Sequence, residues 1–132
     1  MVIDSSAIVA LLLDEPECES YIAQVTEAER RLVSAVSVVE AGIVLESRRG
    51  EAAAREFDLF LRAADLEIVP VDAEQAEAAR AAWRKYGKGR HPAALNLGDC
   101  FTYALAQVTG EPLLAKGRDF AQTGLPLASP EK

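Results

Sequence analysis

The chain has 132 residues, half of them apolar, with 14 basic against 21 acidic side chains and a formal net charge of -7. That length suits one core burying roughly two-thirds of the unfolded surface, and the charge excludes a protein that coats nucleic acid indiscriminately, which needs many cations against phosphates. The two cysteines, Cys18 and Cys100, sit in no zinc-binding or redox spacing and are expected as buried thiols.

Val2-Ile3 reads as a short strand, followed by Ile8, Leu11 and Leu12 at the spacing of one helix face. The apolar run Ala7 to Leu13 has no preceding positive charge and is far shorter than the ~20 residues that span a bilayer. A cytoplasmic protein with no membrane segment, forming one domain over residues 1–132, is therefore expected. A second helix is expected to start near Pro16, since proline suits a first helical turn. Arg31 to Ala35 is strand-like, and Ser37 to Arg49 reads as a helix that Gly50 ends. The next helix carries Phe57, Phe60, Leu61 and Ala64 on one face. Glu67 to Val71 reads as another strand, after which Asp72 and Gln75 have capping-box spacing before the helix that holds Trp83 and Tyr86. A polar stretch, Gly87 to Pro92, leads to a helix with Leu97, Phe101, Ala104, Leu105 and Val108, ended by Gly110, and Pro112 to Ala115 supplies the last strand.

Strands alternating with helices predict an α/β fold with a mainly parallel central sheet, because parallel neighbours need crossover connections. Ligands bind such sheets beyond the carboxyl ends of the strands. Four acidic residues fall there: Asp4 after the first strand, Glu40 in the helix after the second, Asp99 opening the last long helix, and Asp119 after the final strand. No histidine or cysteine accompanies them, so a metal held there would have only oxygen ligands, which suits Mg2+ or Mn2+ better than zinc. A structural reading competes for each. Ser37-x-x-Glu40 matches a capping box and Asn96-x-x-Asp99 approximates one. The two roles are compatible, because the positive end of a helix dipole keeps a carboxylate ionised.

Four segments in order resemble the VapC-like branch of the PIN-domain family: Val2-Ile3-Asp4-Ser5-Ser6-Ala7; Glu40 in its helix; Leu95-Asn96-Leu97-Gly98-Asp99-Cys100-Phe101; and Leu113-Leu114-Ala115-Lys116-Gly117-Arg118-Asp119-Phe120. The resemblance spans nearly the whole chain. It implies a three-layer α/β/α sandwich, Mg2+- or Mn2+-dependent cleavage of RNA, homodimerisation, and inhibition by a cognate VapB-like antitoxin. By position, Asp4, Glu40 and Asp99 match the family's three central acidic residues, Asp119 matches a fourth that assists metal binding less directly, and Ser6 matches a hydroxyl residue supporting the pocket. Ser5 replaces a frequent threonine, and Arg118 stands where asparagine or an acidic residue is common. Its guanidinium could pair with Asp119 or meet substrate phosphate.

The expected reaction is phosphodiester hydrolysis by a metal-activated water. Arg84, Lys85, Lys88, Arg90 and His91, with Lys116 and Arg118, are candidates for holding RNA, each weighed against an ordinary solvated helix end. His91, the only histidine, has no neighbour that marks it as a general base. Trp83 and Tyr86 could stack on bases, but their helical spacing with Ala76 and Ala79 predicts an inward face. A haloacid-dehalogenase-type phosphotransferase needs a second Asp where Ser6 stands. A receiver-like Mg-binding signalling domain fits Val69-Pro70-Val71-Asp72 poorly, and a catalytically silent PIN-like module would not need the acidic set.

Overall fold

The structure, a computed structural model, describes residues 1–128. Among them, four short strands, β1 (Val2–Ile3), β2 (Leu32–Ser34), β3 (Glu67–Val69) and β4 (Leu113–Leu114), form a wholly parallel sheet in the order β3-β2-β1-β4. Five helices cross between or flank them: α1 (Ser5–Leu12), α2 (Cys18–Glu27), α3 (Ala35–Ala63), α4 (Ala73–Tyr86) and α5 (Leu97–Thr109), with a 3-10 turn at Phe120–Gln122. None of the described helices is long and apolar enough to cross a membrane.

The two residues of β1 explain the layering. Successive strand side chains face opposite sides of a sheet, so Val2 joins a core with Leu32, Ala79, Tyr86 and Leu105 beneath α4 and α5, while Ile3 joins one with Val33, Ile8, Leu45 and Phe57 beneath α1 to α3. Both β1 residues are buried, each worth about 1.5–3 kcal/mol in apolar burial. The result is the expected α/β/α sandwich. The ladder of β1 extends one residue further: Val2 N–H donates to Pro112, and Asp4 N–H donates to Leu114 at 2.9 Å. Asp4 therefore leaves the sheet with its backbone still in register.

Helix boundaries differ from expectation in instructive ways. Helix α3 begins at Ala35, directly after β2, and its N-cap is Ser34, whose hydroxyl accepts from Val36 N–H. Ser37 is thus not a cap, and Glu40 lies in the second turn rather than the first. At Gly50 the backbone takes φ 74°, ψ -166°, so the helical path stops there as the sequence indicates, then resumes toward Ala63. Strands β2, β3 and β4 are each shorter than their apolar runs, and α2 starts at Cys18, two residues beyond Pro16. Gly110 ends α5 in the left-handed conformation, φ 74°.

Candidate functional site

The carboxyl edge of the sheet carries Asp4, which is 3% exposed and caps α1. Its Oδ2 accepts from Ser6 N–H at 3.0 Å and from the Ser6 hydroxyl at 2.6 Å. Its Oδ1 accepts from the Thr102 hydroxyl, also at 2.6 Å. A hydroxyl has one proton, so with Thr102 donating to Asp4, the 3.2 Å contact between Thr102 and Ser37 has Ser37 as donor. A buried chain of two hydroxyls from α3 and α5 thus ends on the Asp4 carboxylate. Ser6 is fixed in turn, since its Oγ accepts Lys116 N–H at 2.9 Å from the loop after β4.

Glu40 is half-buried, and its Oε1 accepts from the Ser5 hydroxyl at 3.4 Å. Its carboxylate lies so close to the backbone of Gly98 that a Cβ at that position would collide with it. Gly98 thereby lets α3 and the start of α5 approach and places Glu40 beside Asp99. Burial, followed by the carboxylate of Asp4, raises the Glu40 pKa, against the opposing Ser5 hydrogen bond.

Asp99 completes a reciprocal capping box: Asn96 Oδ1 accepts Asp99 N–H at 2.8 Å, and Asp99 Oδ2 accepts Asn96 N–H at 3.0 Å. Burial raises the Asp99 carboxyl to about 6, helped by the charges of Asp4, Glu40 and Asp119 and opposed by the Asn96 N–H. Asp119 is exposed at the start of the 3-10 turn and caps nothing with its side chain.

The fold thus brings Asp4, Glu40 and Asp99 together from three separate elements, with Asp119 at the rim. Among the described residues none of the four is ion-paired, so the negative charge there is uncompensated by protein. The same residues close no ready-made cage of three ligands. Like charges without a counter-ion repel, and Mg2+ typically takes only one or two carboxylates and keeps several waters. An oxygen-only set of unpaired carboxylates, one of them anchored by three donors, fits such a cation.

The basic candidates do not form one surface: Arg84, Lys88 and Arg90 line one cleft, and Lys85, His91, Lys116 and Arg118 stand outside it. Arg84, Lys85, Lys88 and Arg90 are exposed around the end of α4, with Arg90 stacked over the Trp83 ring at 4.5 Å and Lys85 over Tyr86 at 5.2 Å. His91 is committed locally, its Nδ1 accepting Ala93 N–H at 3.0 Å and its ring edge-on to Tyr86. The Lys116 ammonium is held by Glu15 at 2.8 Å and Glu17 at 3.6 Å. Arg118 is exposed and forms no ion pair with Asp119. Tyr86 is buried as expected, but Trp83 is not: it is 45% exposed. The inward line of α4 is Gln75, Ala79, Ala82 and Tyr86, and Trp83 stands to one side of it, about 100° of helix from Ala82.

Thr102 is the site residue that sequence reasoning missed. Its one signal is a buried-side threonine in the apolar run of α5, one turn after Asp99.

The PIN domain family model matches residues 1–125. Ribonuclease VapC30 of Mycobacterium tuberculosis is 54% identical over 125 residues, covering 95% of each chain. Ribonuclease VapC of Mycolicibacterium smegmatis is 55% identical over 123 residues, covering 93% of this chain and 95% of its own. Among solved structures, VapC20 of Mycobacterium tuberculosis, described as a sarcin-ricin loop cleaving toxin, superposes with a TM-score of 0.79 at 19% identity over 98% of each chain. VapBC2 from Rickettsia felis, bound to a fragment of promoter DNA, superposes at 0.76 with 17% identity, covering 98% of each chain. Those two likenesses carry the fold, and the closer sequence relatives carry the rest: the chain belongs to the PIN domain family, in its VapC ribonuclease branch.

Proposed function

We propose that this chain is an endoribonuclease, the toxin of a VapBC-like toxin-antitoxin pair acting in the cytoplasm, and that it hydrolyses RNA phosphodiesters with Mg2+ or Mn2+. The observation that carries the reading is the meeting of Asp4, Glu40 and Asp99 at the carboxyl edge of the sheet, none of them ion-paired among the described residues. Asp4 and Asp99 would be the principal ligands, with Glu40 and Asp119 completing the shell, partly through water. When bound, the cation neutralises charge on the phosphoryl oxygens and makes a water nucleophilic near neutral pH.

The chain's own residues prepare that site. Thr102 and Ser6 grip opposite oxygens of Asp4, so the ligand is placed before any cation arrives. Ser5 and the bare backbone of Gly98 hold Glu40 beside Asp99. Arg84, Lys85, Lys88, Arg90 and Arg118 lie outside the acidic set, where they can meet RNA phosphates without neutralising the metal ligands.

The proposed partners are a VapB-like antitoxin and a second copy of the chain. Val39 and Ile43, one turn apart on α3, are 60% and 62% exposed, leaving apolar surface for such contacts. Purified protein is expected to cut RNA with Mg2+ or Mn2+ and to stop when the ion is chelated. Asp4→Asn and Asp99→Asn should each abolish cutting while the far-UV circular dichroism stays unchanged. Undiminished cleavage by both variants would overturn the site. Co-expression with the product of the adjacent small reading frame tests the toxin role, which fails if no such product binds or suppresses activity.

A further inference from the structure

A cleft of about 660 Å3 opens between α4 and α5, with Asn96, the capping partner of Asp99, in its wall, and the proposed hydrolysis makes no use of it. Its walls include Trp83, Phe101, Leu95 and Leu97, and its rim includes Arg80, Arg84, Lys88 and Arg90. We propose that this cleft takes one unpaired base of the RNA, with Trp83 as the stacking platform and the rim guanidiniums and ammonium as phosphate contacts. The inference rests on the ribonuclease reading above and adds to it where the substrate is gripped.

Three observations carry it. First, Trp83 is held in place while exposed: the backbone of Gly87 packs against its Cδ1 and Nε1 so tightly that a Cβ there would sit 2.6 Å and 2.8 Å from them. A large ring kept in solvent by its own surroundings is a surface prepared for contact, and a base presents the flat π-face that matches it. The Arg90 guanidinium now over the ring is a planar cation that a base can replace, freeing its charge for the adjoining phosphate.

Second, the charge is complementary. In a chain of net charge -7, Arg80, Arg84, Lys88 and Arg90 gather at one cleft, and among the described residues none of them is ion-paired. Third, the cleft adjoins the chemistry. Asn96, whose side chain caps α5 together with Asp99, is one of its walls. A strand with a base in the cleft therefore runs its neighbouring phosphates toward the carboxylates. Duplex RNA cannot insert a paired base, so the pocket selects single-stranded loops and ends.

Trp83 is the only tryptophan, so its fluorescence reports this cleft alone. The experiment titrates the wild-type protein in EDTA with a short single-stranded RNA, with the same oligomer carrying abasic positions, and with the corresponding duplex. Only the single strand with its bases should quench the emission, and removing the bases should weaken binding roughly tenfold. Equal quenching by the abasic oligomer, or none by any RNA, would overturn the pocket. So would emission that changes with protein concentration in the absence of RNA, which would assign the cleft to a second copy.

The kinetic arm compares Trp83→Leu and Trp83→Phe. The first should raise KM roughly tenfold with kcat held within about twofold, and the second should recover part of the loss. Unchanged KM in Trp83→Leu, with cleavage intact, removes the pocket and leaves the ribonuclease. Base-dependent quenching by a protein that cleaves no RNA would do the reverse.

Discussion

Thr102 and Asp4 stand 98 residues apart in sequence and 2.6 Å apart in the structure, hydroxyl to carboxylate, with both side chains buried. The contact locks α5 to the end of β1 through an atom of the proposed metal ligand itself. A carboxylate held by charge-assisted hydrogen bonds on both oxygens cannot rotate freely.

Thr102→Val keeps the shape and removes the donor. The buried Asp4 Oδ1 loses its partner, at a cost of about 1–3 kcal/mol in stability. Mn2+ binding, read by calorimetry, should weaken along with it, because the ligand is no longer oriented. Thr102→Ser restores a hydroxyl and should restore ion affinity more fully than stability. Equal ion affinity in the valine and serine variants would show that the hydroxyl does not position Asp4.

Gly98→Ala separates site from fold. The added methyl meets the end of the Glu40 side chain, which can swing away, and alanine suits a helix better than glycine. The melting temperature should hold or rise while RNA cleavage drops by an order of magnitude or more, because Glu40 is displaced from Asp99. A variant that retains wild-type turnover would show Glu40 to be dispensable.

The acidic site fixes a pH dependence. With the folded Asp99 carboxyl raised to about 6, protons compete with the cation below that pH, and cleavage should fall as pH drops through 6. Stability without metal runs the other way. A carboxyl whose pKa is higher folded than unfolded contributes stability that is complete below its unfolded pKa and is lost as pH rises through the folded value. From this group, metal-free protein should therefore resist urea less at pH 7 than at pH 5, and Asp99→Asn should flatten that part of the profile. A profile identical in wild type and variant would contradict the shift.

Lys116 should behave unlike its basic neighbours. Its ammonium is tied to Glu15 and Glu17 rather than presented at the cleft, and only its backbone N–H serves the site, through Ser6. Lys116→Gln should leave KM for RNA nearly unchanged, whereas Arg84→Gln and Lys88→Gln raise it and reduce its salt dependence. Loss of RNA affinity in the Lys116 variant equal to that in the other two would mean that the clasp opens to meet substrate.

Much of this was legible in the residues. Asp4 and Asp99 announced themselves because strand-end position and helix-capping pattern are both local, and the same motifs produce the observed turn at each. The structural reading that competed for Glu40 fails. Ser37-x-x-Glu40 has the pattern of a cap, yet β2 runs straight into α3 at Ser34, and the Ser37 hydroxyl turns inward to Thr102. Thr102 itself was illegible, because its meaning lies in a partner that only the closed sheet brings near. Trp83 was misread because alanines four and seven residues before it are compatible with either side of a helix, and tertiary packing, not spacing, decides which side faces in.

The brevity of β1 has one more consequence. Its two residues and the Asp4 amide are registered against β4, and Val2 is also paired with Leu32 of β2. Inserting or deleting one residue between Met1 and Asp4 would exchange the two faces of the strand, sending the aspartate away from Thr102 while every side chain of the site remained present in the sequence. The reading frame of this strand against its neighbours is as strict a requirement as the identity of the acid that ends it.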